Sequence, residues 1–375
     1  MIKVLFAGGG SGGHVYPILA VLDELAAMRD EDFKLYYLGP KSPYDDEFRE
    51  RDVALRYLAS AKMRRYFSAL NFLDAVKFPF LLLRALALVF RIMPDVVFSK
   101  GGPGALPVIV AARFYLIPVI IHESDSVPGL TNRLSARFAK RIGVSFEETL
   151  QFFPKEKAAL VGNPVRSTFL AEGFSREHAK QHFGFDEAVP ALLFIGGSKG
   201  AAEINNFVLE NLGEFLPKYQ VIHVTGEGNF TESDQLAKFS LKDFGEDEKR
   251  RYRWYSYLDM AELRFAYVAA DVVVSRAGSG SIFEIAAFGR ASILVPLEGA
   301  AQDHQKKNAY AYAKTGAAVV VERDNFTPHI VELKARDIIS TPGAREKMES
   351  AARAFARPNA ARVVAEEIVR IARRK

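Results

Sequence analysis

The sequence predicts an α/β protein built of two Rossmann-like, doubly wound parallel-sheet domains, and three observations predict it. Short apolar runs rich in β-branched residues alternate with longer helical segments along the whole chain. A strand that runs into a glycine-rich turn and opens a helix occurs twice, at residues 5–10 and 193–198. The 375 residues also exceed the roughly 150 that one ordinary domain uses.

The predicted strands of the first half are 2–6, 35–38, 96–98 and 119–121, and those of the second are 192–195, 221–224, 272–274 and 293–295. Their hydrophobicity is continuous rather than alternating, which implies burial on both faces and hence parallel sheets covered by helices. Strand character ends in turn formers at Gly162-Asn163-Pro164-Val165, so the first domain is expected to span 1–165 and the second 166–358. Residues 344–375 read as two helices broken at Pro358-Asn359, the last of which, 359–375, is expected to pack back on the first half. Ligands bind outside the carboxyl ends of such strands, so a cleft between the halves is the expected site.

Composition narrows the class. An apolar share of 49% and a charged share of 25% argue against a disordered or fibrous chain. Fifty Lys plus Arg against 45 Asp plus Glu leave +5, which favours anionic partners mildly and is too small an excess to imply nucleic acid. The absence of cysteine excludes disulfides, thiolate zinc sites and cysteine nucleophiles, and fits a reducing cytoplasm. Residues 1–7 lack the basic and apolar pattern of a secretion signal. The most apolar stretch, 78–90, is interrupted by Pro79 and Arg84 and falls short of the roughly 20 residues that cross a bilayer. Residues 105–121 carry Arg113 and two prolines and read as a buried helix followed by a core strand.

Gly8-Gly9-Gly10-Ser11-Gly12-Gly13 satisfies G-x-G-x-x-G between a strand and a helix. Dinucleotide binding also requires an acid at the end of the second strand, where this chain has Leu38-Gly39-Pro40, so nicotinamide and flavin are disfavoured. His14 follows at the helix start, either a cap or packing residue or a group at the mouth of the cleft. The turn Gly196-Gly197-Ser198-Lys199-Gly200-Ala201 lacks P-loop spacing, yet it opens a helix whose free N–H groups suit a phosphate, with the Ser198 hydroxyl as a further donor. A third segment, Arg276-Ala277-Gly278-Ser279-Gly280-Ser281, adds a second helix amino end in the same half, as a pyrophosphate would need. Glu284, one turn further, either accepts bonds from a ribose diol or is an acid in a helix's first turn.

No metal site is expected. Asp30-Glu31-Asp32 lies on the side away from the strands' carboxyl ends, and His178 and His182 lack a third ligand and the zincin glutamate. The stretch 62–91 mixes Met63, Phe67, Leu70, Phe72 and the 78–90 run with Lys62, Arg64, Arg65, Lys77, Arg84 and Arg91. It suits a surface helix dipping into anionic lipid, with a buried helix of the first half as the alternative.

Six segments together resemble the MurG family: 8–17 (GGGSGGHVYP), 122–132 (HESDSVPGLTN), 162–166 (GNPVR), 196–201 (GGSKGA), 275–287 (SRAGSGSIFEIAA) and 303–309 (DHQKKNA). They occur in order over nearly the whole chain. The resemblance implies the GT-B fold, two Rossmann-like domains facing a central cleft. It also implies an inverting transfer, with no metal or other cofactor, of N-acetylglucosamine from UDP-N-acetylglucosamine to the 4-hydroxyl of undecaprenyl-pyrophosphoryl-MurNAc-pentapeptide. This is a step of peptidoglycan synthesis and so of cell shape and division. By position, His14 is similar to the family's candidate general base, with Glu123 as the competing base. Ser11, Gly12 and Gly13 look like donor contacts of the first loop. Arg166 and Ser198 would face the pyrophosphate, Met260 the uracil, Ser279, Gly280, Ser281, Ile282, Phe283 and Glu284 the nucleotide with Glu284 on the ribose, and Gln305 the sugar hydroxyls. The family often has asparagine where Asp125 stands, tyrosine where Pro103 stands and threonine where Ser11 stands; Asp125 occupies a donor-sugar position. The implied partners are the UDP-sugar, the lipid-linked acceptor, an anionic membrane surface and other cell-wall synthesis proteins, at the cytoplasmic face of the bacterial inner membrane. Rival readings are another GT-B enzyme acting on a UDP-sugar, such as an epimerase or a glycolipid-forming transferase, and a catalytically silent GT-B scaffold at the membrane.

Overall fold

Two units, each folded around its own parallel sheet, make up the chain: unit 1 comprises Met1–Ser167 with Arg357–Lys375, and unit 2 comprises Thr168–Ala356. The structure is a computed structural model that describes residues 1–59, 69–102, 104–166, 173–197, 200–296 and 304–374, with residues 69–76 described by backbone alone.

Among the described residues unit 1 has seven strands: β1 (Ile2–Ala7), β2 (Phe33–Gly39), β3 (Ala54–Tyr57), β4 (Val96–Ser99), β5 (Val119–Glu123), β6 (Arg141–Val144) and β7 (Ala158–Leu160). They lie in the order β3-β2-β1-β4-β5-β6-β7 with every pairing parallel. Side chains alternate between the two faces, so Val4 and Phe6 point one way and Leu5 and Ala7 the other, and both sets are buried. One face is covered by α1 (Gly12–Ala26) through Val15, Ile18 and Leu22, and by the C-terminal helix Ala360–Ala372 through Val364, Ile368 and Ile371. The other is covered by α3 (Ala69–Ile92) and α4 (Ala105–Phe114), which follow α2 (Asp45–Arg49) in the chain. At about 1.5–3 kcal/mol for each buried aliphatic side chain, the C-terminal helix is an integral part of unit 1. Its approach constrains Gly162, whose φ is +83° and where a Cβ would come within 2.3 Å of the Cβ of Arg357.

Unit 2 has six described strands, β8 (Ala191–Ile195), β9 (Gln220–Val224), β10 (Tyr252–Tyr255), β11 (Val272–Ser275), β12 (Ser292–Leu294) and β13 (Ala318–Val320), in the order β10-β9-β8-β11-β12-β13 and all parallel. Phe194, Val221, Val272 and Ile293 pack with Ile204 and Val208 of the helix Ala202–Glu210 and with Val331 and Ile338 of the helix Pro328–Ser340.

Strands β3, β6, β7, β10 and β13 are additions to the sequence expectation. Four of them are sheet edges, and they carry half-exposed or exposed residues such as Arg56, Ala159 and Arg253 that break the apolar run. An edge strand has one neighbour and a thinner cover, so the continuous hydrophobicity that marks a central parallel strand is absent from it.

Candidate active site

In each doubly wound sheet the strand order reverses at one point, between β1 and β4 in unit 1 and between β8 and β11 in unit 2. The loops leaving the carboxyl ends of those strands form the expected ligand crevice. They begin at Gly8 and Lys100 in unit 1, beside the loop that leaves β5 at Ser124, and at Gly196 and Arg276 in unit 2.

In unit 1, Ser11 is the N-cap of α1 but makes no side-chain cap; its Oγ lies instead 2.9 Å from His14 Nδ1. The helix ladder starts with the N–H groups of His14 and Val15 donating to the Ser11 carbonyl, so those of Gly12 and Gly13 precede it. Pro17 has no N–H to give the Gly13 carbonyl. A Cβ on Gly13 would meet nothing within 4 Å, whereas one on Gly102, at φ +89°, would sit 2.9 Å from the Gly9 nitrogen and 3.2 Å from His14 Nε2. The Gly102 backbone thus closes over the imidazole. Burial first, and the charge of Lys100 second, lower the His14 pKa from 6.5 to about 4, while Asp125 pulls it upward. His14 is thus held as the neutral free base at neutral pH.

Lys100, the first residue beyond β4, is absent from the sequence-derived site. Its Nζ donates to His122 Nδ1 at 2.7 Å, to Asn163 Oδ1 at 3.1 Å and to Ser124 Oγ. His122 in turn reaches the Gly162 carbonyl through Nε2 at 2.8 Å. A lysine directly after a fully buried strand and before two glycines was the available signal. Burial brings its pKa down to about 7, against the pull of Glu123 and Asp125.

Glu123 ends β5 with both carboxylate oxygens engaged. Oε1 accepts the Asp125 N–H at 3.0 Å, and Oε2 accepts the Gly129 N–H at 3.0 Å and Asn132 Nδ2 at 2.9 Å. Burial and then Asp125 raise its pKa, and these three bonds oppose the rise. Its evident role is to clasp the loop that carries Asp125, whose carbonyl is also held by Thr149 Oγ1 at 2.9 Å. Arg166, expected at a pyrophosphate, is paired with Glu47 of α2 and lies over the Tyr16 ring at 5.4 Å, all within unit 1.

In unit 2 the turns after β8 and β11 lie side by side, since a Cβ on Gly197 would be 3.8 Å from Ser281 Oγ. Gly196 cannot carry a side chain, because a Cβ would strike the Ala201 nitrogen at 2.3 Å. Ser198 lies outside the described residues, as do Lys199, Pro103 and Asp303. The helix Ser279–Ala287 begins its ladder with the Ile282 N–H donating to the Gly278 carbonyl at 3.0 Å, so the N–H groups of Ser279, Gly280 and Ser281 precede it. Cβ atoms on Gly278 and Gly280 would meet nothing within 4 Å. Ile282 and Phe283 are buried in the core, so of these two only main-chain atoms can face a ligand. Glu284 Oε2 accepts the Tyr267 hydroxyl at 3.1 Å, and Gln305 Oε1 accepts from Arg276 Nε at 3.3 Å. Met260 opens the helix Met260–Ala269 behind the N-cap Asp259, which accepts the N–H groups of Ala261 and Glu262.

Of the basic and apolar stretch 62–91, residues 62–68 and the side chains of 69–76 lie outside the described residues. On the rest of α3, Ala85, Val89 and Ile92 face the core while Phe80, Leu83 and Phe90 are more than 60% exposed. Phe90 abuts Tyr115, which abuts the exposed Phe114, and Leu116 is exposed beside them. Lys77, Arg84, Arg91 and Arg113 are exposed in the same segments. The helix therefore has both a buried and a solvent-facing apolar side. Among the described residues no helix is long and apolar enough to cross a membrane. His182 bonds Glu262 at 2.9 Å and stacks on Phe265 at 4.1 Å.

Residues 4–144 match the model of the glycosyltransferase family 28 N-terminal domain, and residues 191–364 that of the glycosyltransferase family 28 C-terminal domain. The chain is 36% identical over 344 residues, 89% of it and 92% of the relative, to the "UDP-N-acetylglucosamine--N-acetylmuramyl-(pentapeptide) pyrophosphoryl-undecaprenol N-acetylglucosamine transferase 3" of Bacillus thuringiensis strain Al Hakam. It is 33% identical over 330 residues, 88% and 87% of the two chains, to the transferase of that name from Clostridium tetani. Among solved structures it is similar to MurG of Acinetobacter baumannii, with a TM-score of 0.74 and 25% identity over 99% of this chain and 100% of that one. UDP-GlcNAc 2-epimerase of Neisseria meningitidis shares the fold at a TM-score of 0.66, with 13% identity over 98% and 100% of the two chains. The paired doubly wound domains are the GT-B architecture.

Proposed function

The chain belongs to glycosyltransferase family 28, among the MurG transferases, and from that premise we propose that it transfers N-acetylglucosamine from UDP-N-acetylglucosamine to the 4-hydroxyl of undecaprenyl-pyrophosphoryl-MurNAc-pentapeptide. The observation that carries this reading is the pair of helix amino ends whose glycines are not required by packing. Gly13 in unit 1 and Gly278 and Gly280 in unit 2 have room for a side chain and an ordinary φ, yet carry none. Such positions leave space for a substrate to approach the main chain, and the N–H groups beside them favour anions.

In the proposal unit 2 holds the donor. The N–H groups of Ser279, Gly280 and Ser281, with Ser198, meet the diphosphate; Glu284 accepts from the ribose, and Gln305 and Asp125 meet the sugar. Met260 serves the uracil through its main chain. Arg166 joins the diphosphate by exchanging Glu47 for it. The acceptor oxygen attacks the anomeric carbon, the bond from that carbon to the phosphate oxygen breaks, and UDP leaves with its added negative charge against the helix amino end. Inversion follows from this single displacement. The acceptor proton passes to His14 Nε2, worth on the order of 10² to 10⁴ in rate. That requires the tautomer in which Nδ1–H donates to Ser11 Oγ, which supports Ser11 as the orienting residue, with Gly12 and Gly13 contributing main chain. Anionic substrates oppose the field of Lys100 and raise the basicity of the imidazole when both are bound. Glu123 acts by holding the Asp125 loop. No step calls for a metal or other cofactor.

The enzyme attaches peripherally to the cytoplasmic face of the bacterial membrane through Phe80, Leu83, Phe90, Phe114 and Leu116, with Lys77, Arg84, Arg91 and Arg113 toward anionic headgroups. Other cell-wall synthesis proteins meet it there. The test is incubation with radiolabelled UDP-N-acetylglucosamine and the lipid-linked muramoyl acceptor, followed by butanol extraction. Label in the butanol phase is expected; label confined to the aqueous phase, as free sugar or its epimer, would overturn the assignment.

A further inference from the structure

Among the described residues no carboxylate is in direct contact with the buried cation Lys100. It is 3% exposed, and its hydrogen-bonding partners His122 and Asn163 are 0% and 2% exposed. The geometry defines its charge. The Gly162 carbonyl can only accept, so His122 Nε2 carries the ring proton and Nδ1 presents a lone pair to Lys100. Asn163 Oδ1 is likewise an acceptor, and with Ser124 Oγ the three N–H bonds of an ammonium are matched by three acceptors. Burying an ammonium without a direct ion pair is costly, and an apolar side chain would fill the space between β4 and β5 more cheaply. The compensating charges are those of Glu123 and Asp125, acting through space.

The position of Lys100 gives that cost a use. A Cβ on Gly8 would stand 3.8 Å from the Lys100 Cβ and 3.9 Å from the His14 Cβ, so the two side chains flank the same glycine. We propose that Lys100 is a positioning residue for the transfer: a buried ammonium that locks the carboxyl ends of β4 and β5 to the 161–164 turn and sets the electrostatic field in which His14 works. The charged and titratable groups that share this field are His14 from α1, His122 and Glu123 from β5, and Asp125 from the loop beyond it. Burial is the first cause that holds the imidazole as a free base, the lysine adds to it, and Asp125 opposes both.

The inference rests on the reading of His14 as proton acceptor, and its test does not use turnover. The full chain is labelled with carbon-13 in the histidine rings, the His14 resonance is assigned by its loss in His14→Gln, and its titration is followed. Lys100→Met, and Lys100→Gln as a polar alternative should the first not fold, are expected to move the His14 midpoint upward by about one pH unit, whereas Lys100→Arg keeps it low. A merely structural lysine would change the melting temperature alone. An unmoved His14 midpoint in a folded neutral variant would overturn the proposal. A His14→Ala enzyme that still transfers sugar at full rate would sink the base assignment and leave these titrations unaffected.

Discussion

At the switch point of unit 1 the sheet delivers Lys100, His122 and Glu123 into the interior and half-buries His14 under Gly102, whereas the switch point of unit 2 delivers glycines, serines and the half-buried Arg276 and Glu284. Both sheets are parallel and reverse direction in the same way, so topology does not make the difference. Desolvation does. Buried groups that lack water and sit within one another's fields have displaced proton affinities, as His14, Lys100, His122 and Glu123 have. Open helix amino ends keep their N–H dipoles available for anions. Under the proposed function, one copy of the fold serves proton transfer and the other diphosphate binding.

The largest effect expected from this division is that of His14→Ala, which should lower turnover on the order of 10²- to 10⁴-fold while the KM for UDP-N-acetylglucosamine stays near that of the parent. Steady-state kinetics at saturating acceptor reads both. Next, Glu284→Ala should weaken donor binding roughly tenfold to a hundredfold, the equivalent of about 1.5–3 kcal/mol for a hydrogen bond to a charged group, and leave the pH profile of kcat in place. A shifted profile there would blur the two roles.

Acid should expose the buried imidazole. Between about pH 4 and 6.5 a His14 whose folded pKa is lowered binds fewer protons folded than unfolded, so stability falls as pH falls through that window. The thermal midpoint should therefore decline from pH 6.5 to 4, and less steeply in His14→Gln; equal slopes would show that the ring is not held neutral. The smallest effect on chemistry belongs to Phe90→Ser, combined with Phe114→Ser. Sedimentation with anionic vesicles should drop, by up to about 1.5–3 kcal/mol for each side chain fully inserted, while transfer to a detergent-solubilised acceptor is unchanged.

What could be read from the sequence follows the same physics. Strands β1, β4, β5, β8 and β11 were legible because burial on both faces gives each a continuous apolar run, interrupted only toward the strand ends by residues such as Ser99, His122, Glu123 and Ser275; β3, with Arg56, and β10, with Arg253, were not, because edges tolerate charge. The glycine turns and His14 were legible because each is contiguous in the chain. The Lys100 network was not, since residues 100, 122, 124 and 163 meet only when β4 lies beside β5 and the chain returns past β6. The lowered pKa of His14 depends first on its burial and second on the charge of Lys100, and so could not be inferred from its neighbours in the sequence. Ile282 and Phe283 fell within a motif as possible contacts, and helix periodicity turns their side chains inward.

The division of labour is tested most directly by calorimetric titration of UDP-N-acetylglucosamine into His14→Ala and Glu284→Ala side by side. Parent-like affinity in the first and a loss of tenfold or more in the second is the expected result. The reverse pattern, with donor binding lost in His14→Ala and retained in Glu284→Ala, would contradict it.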